Sequence, residues 1–155
     1  MNRASLAVLA ALVAMAAFVA GCGDSDDGDT GSESLTKVEF IKQGDRICEK
    51  ANEQSETEAE EFAKENDFTL EKASKEQLEE AVAEVLVPSL NQQAEELDAL
   101  GAPEGDEEQV EEIIVSLEDA AGEIEDDPKL IFEGEVLKEP SKLASDYGFE
   151  VCGEE

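Results

Sequence analysis

The sequence predicts an all-α protein, an antiparallel bundle of about four helical sections that follows a signal peptide and a flexible acidic tether. Apolar residues after Lys37 recur three, four or seven positions apart, which is the spacing of one helix face. Short segments rich in glycine, proline and aspartate separate these runs. No alternation of strands with helices and no internal repeat is visible. We therefore expect helices that are joined by short loops and packed side by side.

Residues 1–21 have the pattern of a secretory signal peptide. A short basic start, Met1-Asn2-Arg3, precedes an apolar run interrupted by one serine. The stretch Val19-Ala20-Gly21-Cys22 resembles the bacterial lipobox, with valine at the position where leucine is commoner. The resemblance implies that Cys22 carries a diacylglyceryl group and follows the cleavage site. A lipid membrane is then a partner, and the outer face of the cytoplasmic membrane is the expected location.

Two alternatives to lipidation are an ordinary signal peptide cut nearby and an uncleaved anchor, for which the apolar run is short. Residues 22–35 are predicted to form a disordered acidic tether, because they consist mostly of Gly, Asp, Ser and Thr. This stretch does not match a calcium-binding EF-hand loop. Counted from Asp24, the sixth position is Asp29 instead of glycine, and the twelfth is Leu35 instead of glutamate.

The domain is predicted to span residues 36–155 and to begin with a long helix. Thr36 and Glu39 have the spacing of a capping box, and the helix is expected to fade before Asn66. Its middle, residues 52–58, is polar, which could leave a groove beside it. The apolar stripe of this helix comprises Phe40, Ile41, Ile47, Cys48, Ala51, Ala59 and Phe62.

The second helical section is predicted to start at Ser74, with Gln77 as the matching capping-box residue. Pro88 falls inside its pattern and is expected to bend the helix near residues 84–88. A buried strand at residues 85–87 is the alternative. The apolar face comprises Leu78, Val82, Val85, Leu86, Leu90, Leu97 and Leu100.

The third section is predicted to start at Asp106, after a turn at residues 101–105. The last section begins at Asp127-Pro128, with aspartate as the N-cap and proline in the first turn. Gly134 and Pro140 are expected to break it into two pieces, and Gly148 to end it. The inward residues of the third section comprise Val110, Ile113, Ile114, Leu117, Ala121 and Ile124. In the last section, Tyr147 is expected to pack with its hydroxyl hydrogen-bonded.

The odd number of cysteines is explained if Cys22 carries lipid. Cys48 and Cys152 then remain as an even pair in an oxidising compartment, and we expect a disulfide between them. Free buried thiols, or a redox or metal site, are the alternatives. Two thiolates without histidine do not complete a zinc site, and the spacing is not Cys-x-x-Cys. No metal or cofactor is expected.

Composition excludes several classes of function. The formal net charge is −31, from 42 acidic and 11 basic residues, so nucleic acid is not expected as a partner. The chain has no histidine, which removes Ser-His-Asp and Cys-His catalysis and histidine-ligated metals. The favoured function is a non-catalytic binding domain of the cell envelope that binds a protein, a cell-wall polymer or a small ligand. A basic protein, a cation or a cell-wall component is the candidate partner. The alternatives are a charge-based cation-binding protein and a carboxylate-based cell-wall hydrolase.

The hydrolase alternative needs two carboxylates held across a cleft. A nominal pair could come from Glu123, Glu125, Asp126 and Asp127. So many other acidic pairs are present that these four carry little information. No catalytic residue is assigned, and a deep pocket with two inward-facing carboxylates is not expected.

Three stretches of the chain, "FIKQGDRICEKAN", "LGAPEGDEEQV" and "YGFEVCG", are similar to small secreted lipoproteins of actinobacteria whose activity is not known. The resemblance covers most of the domain after the tether. It implies a helical fold, a bridge between Cys48 and Cys152, and a location in the envelope. It implies no particular activity.

Overall fold

The computed structural model describes residues 34–153, so the predicted signal peptide, Cys22 and most of the predicted tether lie outside the described residues. Within this range the fold is an all-α bundle without β-strands, which confirms the predicted class. Its α-helices are α1 Lys37–Glu65, α2 Lys75–Ala81, α3 Val87–Leu100, α4 Glu107–Asp126 and α5 Lys138–Tyr147. Short 3₁₀ helices, Leu70–Lys72 and Pro128–Glu133, lie in two of the connections.

The predicted capping box starts α1. The Glu39 amide donates to the Thr36 hydroxyl at 3.3 Å, and the Thr36 amide donates to the Glu39 carboxylate at 3.0 Å. The bond from the Thr36 hydroxyl lowers the pKa of Glu39. Leu35, assigned to the end of the tether from sequence, is partly buried and packs against the larger core cluster. The folded domain therefore begins slightly earlier than residue 36.

The second helical section is continuous from α2 to α3 and contains a π-helical turn, Val82–Leu86. In this turn the Val87 amide donates to the carbonyl of Val82, five residues earlier. Pro88 has no amide hydrogen and cannot donate to the carbonyl of Glu84. At the place where a bend was expected, the helix has a π turn. The alternative of a strand at residues 85–87 is wrong, because these residues belong to the π turn and to the start of α3.

The third section begins as predicted, with α4 at Glu107, but the carboxylate of Asp106 does not cap the helix. It accepts a hydrogen bond from the Tyr147 hydroxyl at 2.8 Å instead. The Lys37 ammonium lies 3.7 Å from this carboxylate and 3.7 Å from the centre of the Tyr147 ring. These three side chains join the start of α1, the start of α4 and the end of α5.

The last section is divided at Gly134, as predicted, but not at Pro140. Asp127 accepts a hydrogen bond from the Lys129 amide and so begins the 3₁₀ helix, which ends at Gly134. Pro140 lies in the first turn of α5. Amides of the first turn have no partner within the helix, so a proline there costs little.

The helix α1 runs antiparallel to the helical section that contains α3. Near the start of α1, Gly44 lies beside Leu97 of α3, and further along it, Asn52 borders the same space as Leu86. The chain positions on the two helices therefore run in opposite directions. The larger core cluster comprises Phe40, Ala94, Leu97, Val110, Ile113, Ile114, Ala144, Tyr147 and Phe149. A second cluster comprises Val87, Leu90, Ala121 and Ile124.

After α5 the chain folds back onto α1 as a strap, residues 148–153. Gly148 has a φ of +120°, a conformation that favours glycine. The buried Phe149 ring lies against Gly44, where any Cβ would overlap it. The carboxylate of Asp45 accepts hydrogen bonds from the amides of residues 150–152 at 2.8 to 3.3 Å.

Cys48 and Cys152 form the expected disulfide, with their Cα atoms 5.3 Å apart. Cys48 is buried on α1 and Cys152 is half-buried in the strap. The bridge spans a sequence separation of 104 residues, so it ties the end of the described chain to its first helix.

Tyr147 is the sole tyrosine and the chain has no tryptophan, so its titration can be followed directly by absorbance. Burial first, and then the hydrogen bond to Asp106, raise the pKa of Tyr147 above its usual value. We expect the phenolate to form only well above pH ~10 in the native protein, and near pH ~10 in denaturant. Because the native pKa is the higher one, folding stability is fully present below pH ~10 and decreases as the pH rises further.

Asp106→Asn should move the native titration of Tyr147 towards lower pH, because the neighbouring negative charge is lost. Asp98→Asn, at an exposed position of α3, is the control and should leave the titration unchanged. A native titration at the ordinary tyrosine pKa would contradict the buried hydrogen bond.

Reduction of the Cys48–Cys152 bridge should strongly destabilise the domain. Chain-entropy arguments give about 4.7 kcal/mol for a closed loop of about 100 residues. Urea unfolding of the full chain carrying Cys22→Ser, with and without a thiol reductant, measures the difference in the free energy of unfolding. The unfolded, unreduced chain should contain no reactive thiol. Detection of two thiols would show that the bridge does not form.

Candidate functional site

An apolar groove opens between α1 and the section that contains the π turn. We call it the outer groove, and its volume is about 330 Å³. The exposed Phe132, with 46% of its surface accessible, lies at this groove. The lining residues are Asn52, Ser55, Glu56, Ala59, Leu70, Leu78, Ala81, Val82, Val85, Leu86 and Phe132. The surface is therefore largely aliphatic, with its polar groups supplied by α1.

Two features of the sequence account for the position of this groove. The polar middle of α1 lies here, as the sequence suggested, and Asn52 and Glu56 remain exposed instead of packing onto the facing helix. Alanine at positions 59 and 81 leaves space on both walls. The π turn lies along the opposite wall, and such turns are often found at functional sites.

A second space, the deep cavity, adjoins the outer groove and has a volume of about 150 Å³. The two spaces share Asn52, Ser55 and Leu86 as lining residues. The other residues that line the deep cavity are Cys48, Leu90, Gln93, Leu97, Ile113, Leu117, Leu137, Pro140, Ser141, Ala144, Val151 and Cys152. None of these side chains carries a charge. The disulfide and the strap thus form one wall of the deep cavity.

Four polar side chains line the deep cavity, and two of them, Gln93 and Ser141, are buried. Gln93 of α3 and Ser141 of α5 are each 8% exposed. Neither side chain hydrogen-bonds to another group within residues 34–153. Amide and hydroxyl groups can both donate and accept, so they offer hydrogen bonds to a bound molecule.

A broader acidic groove lies between α4 and the last section, with a volume of about 450 Å³. Its carboxylates belong to Glu112, Asp119, Glu123, Glu133, Glu135 and Glu139, and all six residues are exposed. Of the four carboxylates named for the hydrolase alternative, Glu123 lines this groove, whereas Glu125, Asp126 and Asp127 do not. Across residues 34–153, no cluster of three or more acidic or cysteine side chains has an arrangement that could hold a metal ion.

The structure brings together some of the residues named from sequence and adds others. Cys48 and Cys152 meet in the disulfide, while Cys22 lies outside the described residues. Sequence analysis missed Gln93 and Ser141 as site residues. A signal was present for Gln93, because it stands three residues after Leu90 and four before Leu97, on the apolar face of α3.

No helix within the described range is long and apolar enough to cross a membrane. Comparison with protein-family models, with curated proteins and with solved structures finds no match for this chain.

Proposed function

We propose that this protein is a lipid-anchored, non-catalytic binding protein of the bacterial cell envelope, and that its helical domain binds an apolar ligand in the outer groove. The observation that carries the proposal is the joined pair of spaces, an aliphatic outer groove open to solvent and an uncharged deep cavity behind it. Ligand sites in proteins are typically concave and mostly apolar, with a few polar groups that orient the ligand.

The charge of the chain supports a specific role for this groove. The chain has 42 acidic and 11 basic residues and a net charge of −31, so it is strongly acidic. An aliphatic groove that exposes Phe132 stands out from such a surface, and exposed apolar patches commonly mark binding sites. Solubility alone would favour covering these side chains, so binding is the simplest reason for leaving them open.

Binding without catalysis fits the residues that are present. The chain has no histidine, and the carboxylates that line the acidic groove are exposed to solvent. The apolar groove contains one acidic side chain, Glu56, at an exposed position. A carboxylate pair held across a substrate is the arrangement that hydrolysis needs, and the proposed ligand site does not have one.

The proposed anchor is the acylated Cys22, placed on the outer face of the cytoplasmic membrane. The residues from Gly23 to Ser34 would then join the membrane to the domain, with a random-coil reach of about 20 Å. Repulsion between an acidic domain and anionic lipid favours separation of the two. This arrangement keeps the groove accessible beside the membrane.

Binding in the outer groove can be tested with N-phenylnaphthylamine, an uncharged apolar dye whose fluorescence rises in apolar surroundings. The full chain carrying Cys22→Ser should bind the dye. Ala59→Phe should weaken this binding by about tenfold, equivalent to about 1.4 kcal/mol, because the larger side chain fills the groove.

The matched control is Ala99→Phe, which places the same side chain at an exposed position of α3 that lines neither space. It should bind the dye as the parent does. Dye binding that is absent from the parent, or equal in the two variants, would refute the outer groove as the ligand site.

Lipidation can be tested by expressing the full chain in a bacterium with lipoprotein processing. We expect the protein in the membrane fraction, with a mature N-terminus at a diacylglyceryl-modified Cys22 by mass spectrometry. Cys22→Ala should abolish the modification, whereas Ser25→Ala in the tether should not. A mature chain without lipid on Cys22 would exclude this mode of anchoring.

A further inference from the structure

The deep cavity contains two buried polar side chains that the protein itself does not satisfy. Gln93 and Ser141 have no hydrogen-bond partner within residues 34–153. In the same range, every side-chain nitrogen or oxygen that is fully enclosed has a hydrogen-bond partner. Their polar atoms therefore reach accessible space, and the deep cavity is the space that both residues line. Gln93 also borders a cavity of about 10 Å³, which has room for about one water.

The electrostatics of the deep cavity select against a charged group. Its lining contains no charged side chain, so a buried ion would lose its hydration without gaining a counter-charge. The net charge of −31 disfavours anions further. A carboxamide and a hydroxyl match uncharged groups that donate and accept hydrogen bonds, such as amides, esters and alcohols.

We infer that the deep cavity binds the uncharged, hydrogen-bonding head of an amphiphile whose aliphatic tail lies in the outer groove. The assignment of the tail rests on the proposed function, whereas the assignment of the head rests on Gln93 and Ser141. An engineered protein cavity of about 150 Å³ holds a benzene-sized molecule, so the head has roughly half a dozen non-hydrogen atoms. The ligand class is therefore a neutral long-chain amide, ester or alcohol.

The shared lining of the two spaces supports one ligand in both. Asn52, Ser55 and Leu86 border the outer groove and the deep cavity alike, so a chain that leaves one space enters the other. The buried polar side chains Gln93 and Ser141 line the deep cavity, whereas the outer groove is lined mainly by aliphatic side chains and exposes Phe132. An amphiphile, with a polar head and an apolar tail, matches this arrangement of polar and apolar groups.

The test uses decanamide and decanoate, which share an aliphatic tail but differ in the charge of the head. Each competes with N-phenylnaphthylamine for the full chain carrying Cys22→Ser, and the dye reports occupation of the outer groove. We expect decanamide to bind at least about tenfold more tightly than decanoate at neutral pH. Gln93→Met and Ser141→Ala should each weaken decanamide binding by roughly three- to tenfold, the range for one hydrogen bond.

The matched control is Gln92→Met, at an exposed position where the side chain bonds to Glu96 on the surface of α3. It should leave decanamide binding unchanged. All variants should retain the affinity of the parent for the dye, which shows that the outer groove is intact. If Gln93→Met does not fold, Ser141→Ala alone decides, since it removes a single oxygen atom.

The two proposals fail in different ways. Equal affinity for decanamide and decanoate would overturn the assignment of the head, as would decanamide binding that neither variant weakens. In both cases continued dye binding would leave the outer groove as the apolar site, with water in the deep cavity. If the dye does not bind the parent at all, the outer groove is not an apolar ligand site. The assignment of the deep cavity to a neutral head would then be tested by calorimetry, and absence of decanamide binding would overturn it as well.

Discussion

The attachment of the strap to α1 is the constraint on which the rest of the domain depends. Three contacts make it within two turns of one helix: Phe149 against Gly44, the Asp45 carboxylate on three strap amides, and the Cys48–Cys152 bridge. The Phe149 ring contributes buried apolar surface, and the Asp45 carboxylate satisfies amides that would otherwise need water. The disulfide lowers the conformational entropy of the unfolded chain. Because the strap also forms a wall of the deep cavity, the same attachment defines the candidate site.

The outer groove lies where the polar middle of α1 faces the π turn of the second helical section. The polar middle of α1 cannot bury itself, so Asn52 and Glu56 stay at the surface where an apolar side chain would have closed the interface. On the facing section, Pro88 removes a hydrogen bond and the backbone responds with a π turn. Turns of π-helix are often found at functional sites, and here the π turn and the polar middle of α1 border one space.

The charge and the groove have complementary roles in the proposed function. Under that proposal, the acidic surface would repel both anionic lipid and anionic molecules that compete for the groove. The groove is aliphatic and nearly uncharged, and under the proposal it would select ligands by apolar contact and by hydrogen bonds in the deep cavity. The exposed carboxylates of the acidic groove contribute to the general field, but they make no arrangement that could hold a metal ion within residues 34–153.

The sequence by itself determined the helices and most of their ends, because periodicity, the capping boxes at Thr36 and Ser74, and the glycine at 148 act through neighbours along the chain. It also indicated the cysteine pair by elimination. Tertiary structure alone decided that Asp106 would accept from Tyr147 instead of capping α4, since those residues are 41 positions apart. It likewise decided that Gln93 and Ser141, on different helices, would line one cavity, because no local pattern specifies which faces of distant helices meet.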